Sequence, residues 1–397
     1  MDITDAAGRL ADPVADSPER ADLRLALRAL IAREAPPGRI RQLDEAEEFD
    51  DHLYAKLNDF GVLSIDAPQS LGGAGDVRDQ LVVVEELAAG PTSMAAFMIV
   101  QYMIIQVLGA FASTDEQRAV LADLVSARTK VSFSLSEPDG GTDVARVMKT
   151  RAEGDEARGW RLNGHKMWTS GATRAQWLIV LARTGAPTRS AIDGVSMLLV
   201  PTDAKGVEIR PIDTLGIHGL STCEVFFDDV ALAGDALIGE ENAGLRQAFR
   251  TLNREGIIAC AASLGVGCGA LEYLTDYTCD RQVFGKAIGS FQVPQHWMVD
   301  AAVHLEAARS LMVRAAEVEV AGGRADMLAL MAKLMASEAA QDITLKGMQL
   351  MGGFGYSREL PMQRWFRDVR LWSFAPLNNE MVRNRIGERL LGLPRSY

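Results

Sequence analysis

The chain has 397 residues, a formal charge of −12, and 48% hydrophobic against 24% charged residues. That length has room for two or three domains with well-buried cores, and an acidic balance without a basic cluster argues against nucleic acid or an anionic membrane as the main partner. Cys223, Cys260, Cys268 and Cys279 show no paired metal spacing, so no metal site is expected, and the thiols read as small core residues of a protein in a reducing cytoplasm.

Residues 1–20, MDITDAAGRLADPVADSPER, have no basic start, apolar core or cleavage-like site and read as a flexible N-terminus, not a targeting peptide. From 21 to 128 the periodicity is helical, in LRLALRALIARE, FDDHLYAKLNDFGVLS, QLVVVEELAAG and TDEQRAVLADLVSA, with a Pro/Gly-rich loop, APQSLGGAGD, at 67–76. The stretch 94–111, MAAFMIVQYMIIQVLGAF, contains Gln101 and Gln106 and falls short of the ~20 residues a bilayer needs, so a buried core helix is expected and no integral membrane span.

Near Thr129 the texture changes to short β-branched and aromatic runs such as VSFSLSE, WRLNGHKMWTS, QWLIVLAR, GVSMLLVPTD and CEVFFDDVAL, separated by DGG, NG, TGAP and KG turns. Residues 129–240 are expected to form an antiparallel β-domain. Helical periods return at 244–280, 292–321, 326–351 and 378–391, which predicts a four-helix bundle over 241–397. The expected class is α+β multidomain: an N-terminal all-α domain, a middle antiparallel β-domain and a C-terminal four-helix bundle.

Four segments carry groups suited to a flat, phosphate-bearing ligand, and each also has a plain structural use. FSLSEPDGGTDVA, 133–145, runs a strand into a turn whose glycines, amides and hydroxyls of Ser136 and Thr142 either meet a ligand or simply end the strand. KMWTSGA, 166–172, sets Trp168 beside Thr169 and Ser170, an edge for a heteroaromatic ring or the cap of a β-core. DRQVFGKAIGSFQ, 280–292, offers Arg281 for pyrophosphate, Phe284 for stacking and Gln292 for an amide contact, although a basic residue at a helix end also answers the dipole. GMQLMGGFGY, 347–356, contains Gln349 and Gly353, and its glycines admit a phosphate or end a helix.

In this order, on an α, β, four-helix chain, the four segments resemble the acyl-CoA dehydrogenase family of flavoproteins from about residue 22 to the end. The resemblance implies FAD between the β-domain and the bundle, bordered by Phe133, Leu135, Ser136, Gly141 and Thr142, with Trp168 near the dimethylbenzene side and Thr169 and Ser170 near the ring edge or adjoining phosphate. It implies that Arg281, Phe284, Gln292, Gln349 and Gly353 hold the pyrophosphate and adenosine of a neighbouring subunit's flavin, hence a homodimer or homotetramer. Thr142, Asn253 and Arg254 are expected at the substrate. The implied reaction removes the α-proton of an acyl thioester, on CoA or an acyl carrier protein, passes a hydride from the β-carbon to flavin and leaves a trans-2-enoyl thioester. Electron-transferring flavoprotein is an implied partner.

One residue stands out on energetic grounds. TLNREGIIACAASLG, 251–265, puts Ala248, Leu252, Glu255, Ala259, Ala262 and Val266 on one helical face, all apolar but the carboxylate. Burying an ionised carboxylate alone costs several kcal/mol, so Glu255 must be paired, for instance with Arg250 or Arg254, protonated, or open to a cavity. Most family members carry the catalytic glutamate just before the last helix, where SFAPLNNEM, 373–381, has Pro376. Glu380 follows where Asn378 caps a helix, and the dipole explains it. A minority, including isovaleryl- and long-chain-specific members, carry the glutamate on the first long bundle helix, and counting back from 261–265 that position is Glu255. The residue after it is commonly Arg in the family and is Gly256 here, with Arg254 before, so contacts near the thioester differ and a carrier-protein substrate stands beside CoA. Two further readings stay open: a relative that activates oxygen with flavin supplied by a reductase and needs no base, and an inactive acyl-binding relative.

Overall fold

The computed structural model describes residues 17–395, apart from the side chains at 251–253. The segment expected to be flexible, as far as residue 16, and the side chains of Leu252 and Asn253 therefore lie outside the described residues.

Helices come first: α1 (Pro18–Glu34), α2 (Pro37–Ala46), α3 (Asp51–Asp59), α4 (Val77–Ala89), α5 (Thr92–Phe111) and α6 (Asp115–Val125). Their starts are set by side chains that take up free backbone N–H groups. Ser17 accepts from Arg20 N and Asp50 from Leu53 N, and Asp76 forms a capping box with Asp79. α5 is apolar because it is enclosed, with Phe97, Met98, Tyr102 and Ile104 fully buried. Its two glutamines are accounted for: Gln101 Nε2 donates to Val131 O at 3.0 Å and Gln106 Nε2 to Asp66 Oδ2 at 2.6 Å. α5 and the stretch 254–280 are long and apolar enough to cross a membrane by length and composition, and both are mostly buried within the protein.

The middle of the chain forms one sheet from β1 (Val131–Ser134), β2 (Arg151–Asp155), β3 (Gly159–Ser170), β4 (Trp177–Arg183), β5 (Val195–Pro201), β6 (Val207–Ile212), β7 (Thr222–Leu232) and β8 (Leu237–Ile238). The order is β6-β7-β3-β2-β4-β5-β8. Pairing is antiparallel as expected, except that β1 lies parallel to β4 and β2 meets β4 in parallel at Arg151 and Arg183. β1 arrives from α6 and is separated from β4 by a whole hairpin, so no tight turn forces it to run antiparallel.

The last part holds α7 (Gly244–Asp280), α8 (Gln292–Val320), α9 (Asp326–Met351), α10 (Met362–Asp368) and α11 (Asn379–Arg389). The fourth bundle helix, α11, is short at 11 residues. α7 packs against α4, α5, α8 and α9 and so touches both helical regions. The approach to α4 is close enough to need Gly265, since a Cβ there would come 2.2 Å from Glu85 O. The same contact is tied by buried charge: Arg24 donates to Glu86 at 2.6 Å and to Glu85 at 3.2 Å, and Arg309 pairs with Glu85 at 2.5 Å.

A further joint links all three regions. Asp44 on α2 accepts from Arg367 Nη2 of α10 at 2.5 Å and lies 3.3 Å from Nδ1 of His218, in the loop before β7. Nε2 of His218 is 3.1 Å from Thr214 O, so both ring nitrogens face acceptors. The bond to Asp44 is the main reason that the His218 pKa is raised to about 9. A raised folded-state value stabilises fully below the unfolded value, near 6.5, and the contribution is lost as pH rises through about 9. Asp44→Asn should therefore lower the melting temperature most near about pH 6.5, where the pair contributes at most about 2–3 kcal/mol. Melting curves against pH should show the gap to wild type narrowing toward pH 10, and a gap constant with pH would refute the linkage.

Candidate active site

The edge of the sheet beside α7 is shaped by a β-bulge. Pairing of β3 with β7 shifts register between Lys166 and Thr169, and Trp168 takes φ 62°, in the left-handed region. The bulge turns the indole out, leaving Trp168 55% exposed. Thr169 turns inward, with its hydroxyl 3.1 Å from Ser134 Oγ, so only its backbone is left to meet a ligand. Ser132 Oγ donates to Ser170 O at 2.8 Å and Met167 N to Ser136 O at 2.9 Å, which locks β3 to the segment that leaves β1.

Beneath this edge lies a buried ion pair that the sequence reading did not single out. Lys166 Nζ donates to Leu135 O at 3.0 Å and to Glu137 Oε1 at 2.9 Å, and Glu137 also accepts from Lys149 N at 2.6 Å and Thr150 N at 3.0 Å. Burial lowers the Lys166 pKa to about 8 despite Glu137. Burial opposes ionisation of Glu137 as well, but the Lys166 charge and the amide donors hold its carboxyl below the usual range. The available signal was an ionisable residue at an inward-facing strand position two residues before Trp168.

Gly141 and Thr142 are exposed on the turn, and Thr142 Oγ1 accepts from Asn378 Nδ2 at 3.2 Å, joining the turn to the segment before α11. Phe133 and Leu135 are half-buried alongside. The hydroxyls of Ser136 and Ser170 have no partner among the described residues. An exposed indole, half-buried apolar side chains and unengaged hydroxyls on one edge fit a flat heteroaromatic ring with a polar rim, as the isoalloxazine of FAD has.

On α7, Ala248, Ala259, Ala262 and Val266 are fully buried, as the helical face predicts. Glu255 is half-buried and makes no hydrogen bond or ion pair among the described residues. Burial alone pushes its carboxyl up to about 7. The anticipated partner is engaged elsewhere: Arg254 bridges Asp66 and Glu319. Arg254 and Arg250 line a cavity of about 720 Å³ with Asp66, Gln106, Glu319 and Arg389. Glu380 is exposed in the first turn of α11, where Asn378 accepts from Met381 N at 2.8 Å, so the dipole and solvent account for it.

A second cluster sits where α7 ends. The Arg281 guanidinium lies 5.5 Å from the Phe354 ring centroid and shares a hollow of about 560 Å³ with Gly353. Phe284 is 95% exposed, and Gln292 and Gln349 are exposed too. Arg281 follows Glu255 by 26 residues along the same helix, roughly 39 Å at the helical rise. One ligand cannot touch both ends within a single chain.

Family models for the N-terminal, middle and C-terminal domains of acyl-CoA dehydrogenase match residues 17–128, 132–230 and 242–391. The short-chain specific mitochondrial acyl-CoA dehydrogenase of Homo sapiens is 34% identical over 360 residues, 90% of this chain and 85% of that one. Butyryl-CoA dehydrogenase from Megasphaera elsdenii superposes with a TM-score of 0.89 at 27% identity, over 95% of this chain and 99% of that one. A glutaryl-CoA dehydrogenase from Mycobacterium smegmatis in complex with FADH2 gives 0.88 at 26% identity, over 96% and 97%.

Removing one member of a buried ion pair strands the other. Lys166→Met should lower stability by about 3–5 kcal/mol and deplete bound flavin, and Lys166→Met/Glu137→Gln should recover most of the stability. Melting temperature and flavin content of the purified variants check this. A single variant as stable as wild type would contradict the role given to the pair.

Proposed function

This chain belongs to the acyl-CoA dehydrogenase family, FAD-dependent oxidoreductases acting on CH–CH bonds, and we propose that it dehydrogenates an acyl thioester with Glu255 as the base. The observation that carries this reading is a desolvated carboxyl without a counter-charge, at the family's alternative base position, where the usual position holds Pro376. Its carboxylate takes the α-proton and becomes the neutral acid that its surroundings favour. A pKa of about 7 suits that task, since a base works best when its proton affinity lies near the working pH. Bound FAD supplies the acceptor for the hydride that leaves the β-carbon, and the product is the trans-2-enoyl thioester.

The residues proposed to hold the ring are Phe133, Leu135, Ser136, Gly141, Thr142, Trp168, Thr169 through its backbone, and Ser170. The Lys166–Glu137 pair keeps their two segments in register. The Arg281 cluster is proposed to serve the flavin of a second copy, supported by the roughly 39 Å that separates it from Glu255 along one helix. Exposed Val293, Val299 and Val303 on α8 suit burial in such an assembly of two or four chains. The thioester carrier is CoA or an acyl carrier protein, and electron-transferring flavoprotein is the proposed acceptor. Four unpaired thiols support residence in the cytoplasm. An unpaired, desolvated carboxylate is a group that oxygen activation does not call for, which favours dehydrogenation over that alternative.

Anaerobic mixing with substrate should bleach the flavin, and Glu255→Gln should bind substrate yet bleach about 10²–10⁴-fold more slowly. In wild type, kcat/KM should rise about tenfold per pH unit up to about pH 7 and level off above, because the base is active only when ionised. A glutamine variant that bleaches at the wild-type rate removes the assignment.

A further inference from the structure

α7 contains Gly256, Gly265, Gly267 and Gly269, and close packing accounts for the last three. A Cβ would come 2.2 Å from Glu85 O at Gly265, 2.6 Å from Leu305 Cδ2 at Gly267 and 2.7 Å from Ala89 O at Gly269. Gly256 is different. Among the described residues nothing lies within 4 Å of where its Cβ would stand, and its backbone is not left-handed. Glycine inside a helix is less stable than alanine there, so this position gives up helix stability with neither packing nor conformation to explain it. What remains is open space, and it adjoins the proposed base.

Helix geometry says where that space lies. Successive side chains turn by roughly 100°, so a group at 256 points about a quarter-turn from Glu255 and almost opposite to Arg254. Arg254 is held on its own side by Asp66 and Glu319 and does not reach round to fill the gap. Neighbouring Cα atoms are about 3.8 Å apart, and a base must come within about 3 Å of the atom that gives up its proton. The open side of Gly256 therefore borders the reacting carbons of a substrate, not the remote end of its acyl chain.

We propose that Gly256 is a specificity-determining residue whose open side receives a substituent on the α- or β-carbon, so that the protein accepts branched or ring-bearing acyl thioesters. The inference rests on the reading of Glu255 as the base and deepens it by naming the acyl class. A methyl group added at 256 would occupy the space that such a branch needs, while a straight chain would leave it free.

The test compares Glu255→Gln holoprotein with Glu255→Gln/Gly256→Ala, titrated with butyryl and 2-methylbutyryl thioesters, each on CoA and on an acyl carrier protein. Kd is read from the perturbed flavin absorbance. The alanine should weaken binding of the branched thioester about tenfold or more relative to the straight one, and should raise the melting temperature slightly, since it improves the helix. An equal loss with both thioesters would assign the gap to the shared thioester arm and overturn the proposal, as would no change with either. Bleaching of the Glu255→Gln flavin together with a shifted ratio would remove the base assignment and leave the role of Gly256 standing. Failure of every thioester to bind either protein would overturn both.

Discussion

Holding an ionised carboxylate away from water is expensive, and much of this molecule is arranged around that constraint. Acids buried elsewhere are met by cations brought from distant parts of the chain: Arg24 and Arg309 for Glu85, Arg39 for Asp50, Lys166 for Glu137 and Arg246 for Asp193. These pairs also act as joints. Arg24 and Arg309 fasten α1 and α8 to α4, and Lys166 clamps the turn after β1 to β3. Glu255 has been given no such partner, so protonation is the only relief open to it. That is why its proton affinity rises to the range in which a base is useful. Arg254, adjacent in sequence, is taken up by Asp66 and Glu319, and its charge is thereby spent away from the base.

α7 carries this arrangement because it is the one element in contact with both helical regions. Small residues let it run close to α4, and the same closeness excludes a bulky counter-ion from the Glu255 face. The length of the helix has a second consequence. Its far end presents Arg281 and the exposed Phe284 well away from the base of the same chain, an economical way to make one long helix serve two sites once chains associate.

The helical periods, the β-rich middle and the segments that meet at the sheet edge were all legible in the sequence, because they follow from local periodicity and from residue types with few uses. So was the anomaly at Glu255, which needs only a helical wheel and the energetics of burial. What was not legible depends on partners far away in sequence. Arg254 finds Asp66 and Glu319 across 188 and 65 residues, so its pairing could not be separated from a pairing with Glu255. The parallel placement of β1 beside β4 is a matter of chain routing, which alternation does not encode. The bulge at Trp168 reads as ordinary alternation in HKMWTS, and only the register with β7 reveals it. The short α11 was anticipated as a helix, but not that it would be so much shorter than the other bundle helices.

The central claim is that Glu255 is an unpaired, desolvated carboxyl that takes up a proton near neutrality. Infrared difference spectra between wild type and Glu255→Gln holoprotein, recorded from about pH 4 to about pH 9, read this carboxyl directly through the C=O stretch of its protonated form. The stretch should disappear with a midpoint of about 7. A midpoint near the ordinary glutamate value of about 4.3 would contradict the claim, since it would mean that water or a counter-charge reaches the group after all.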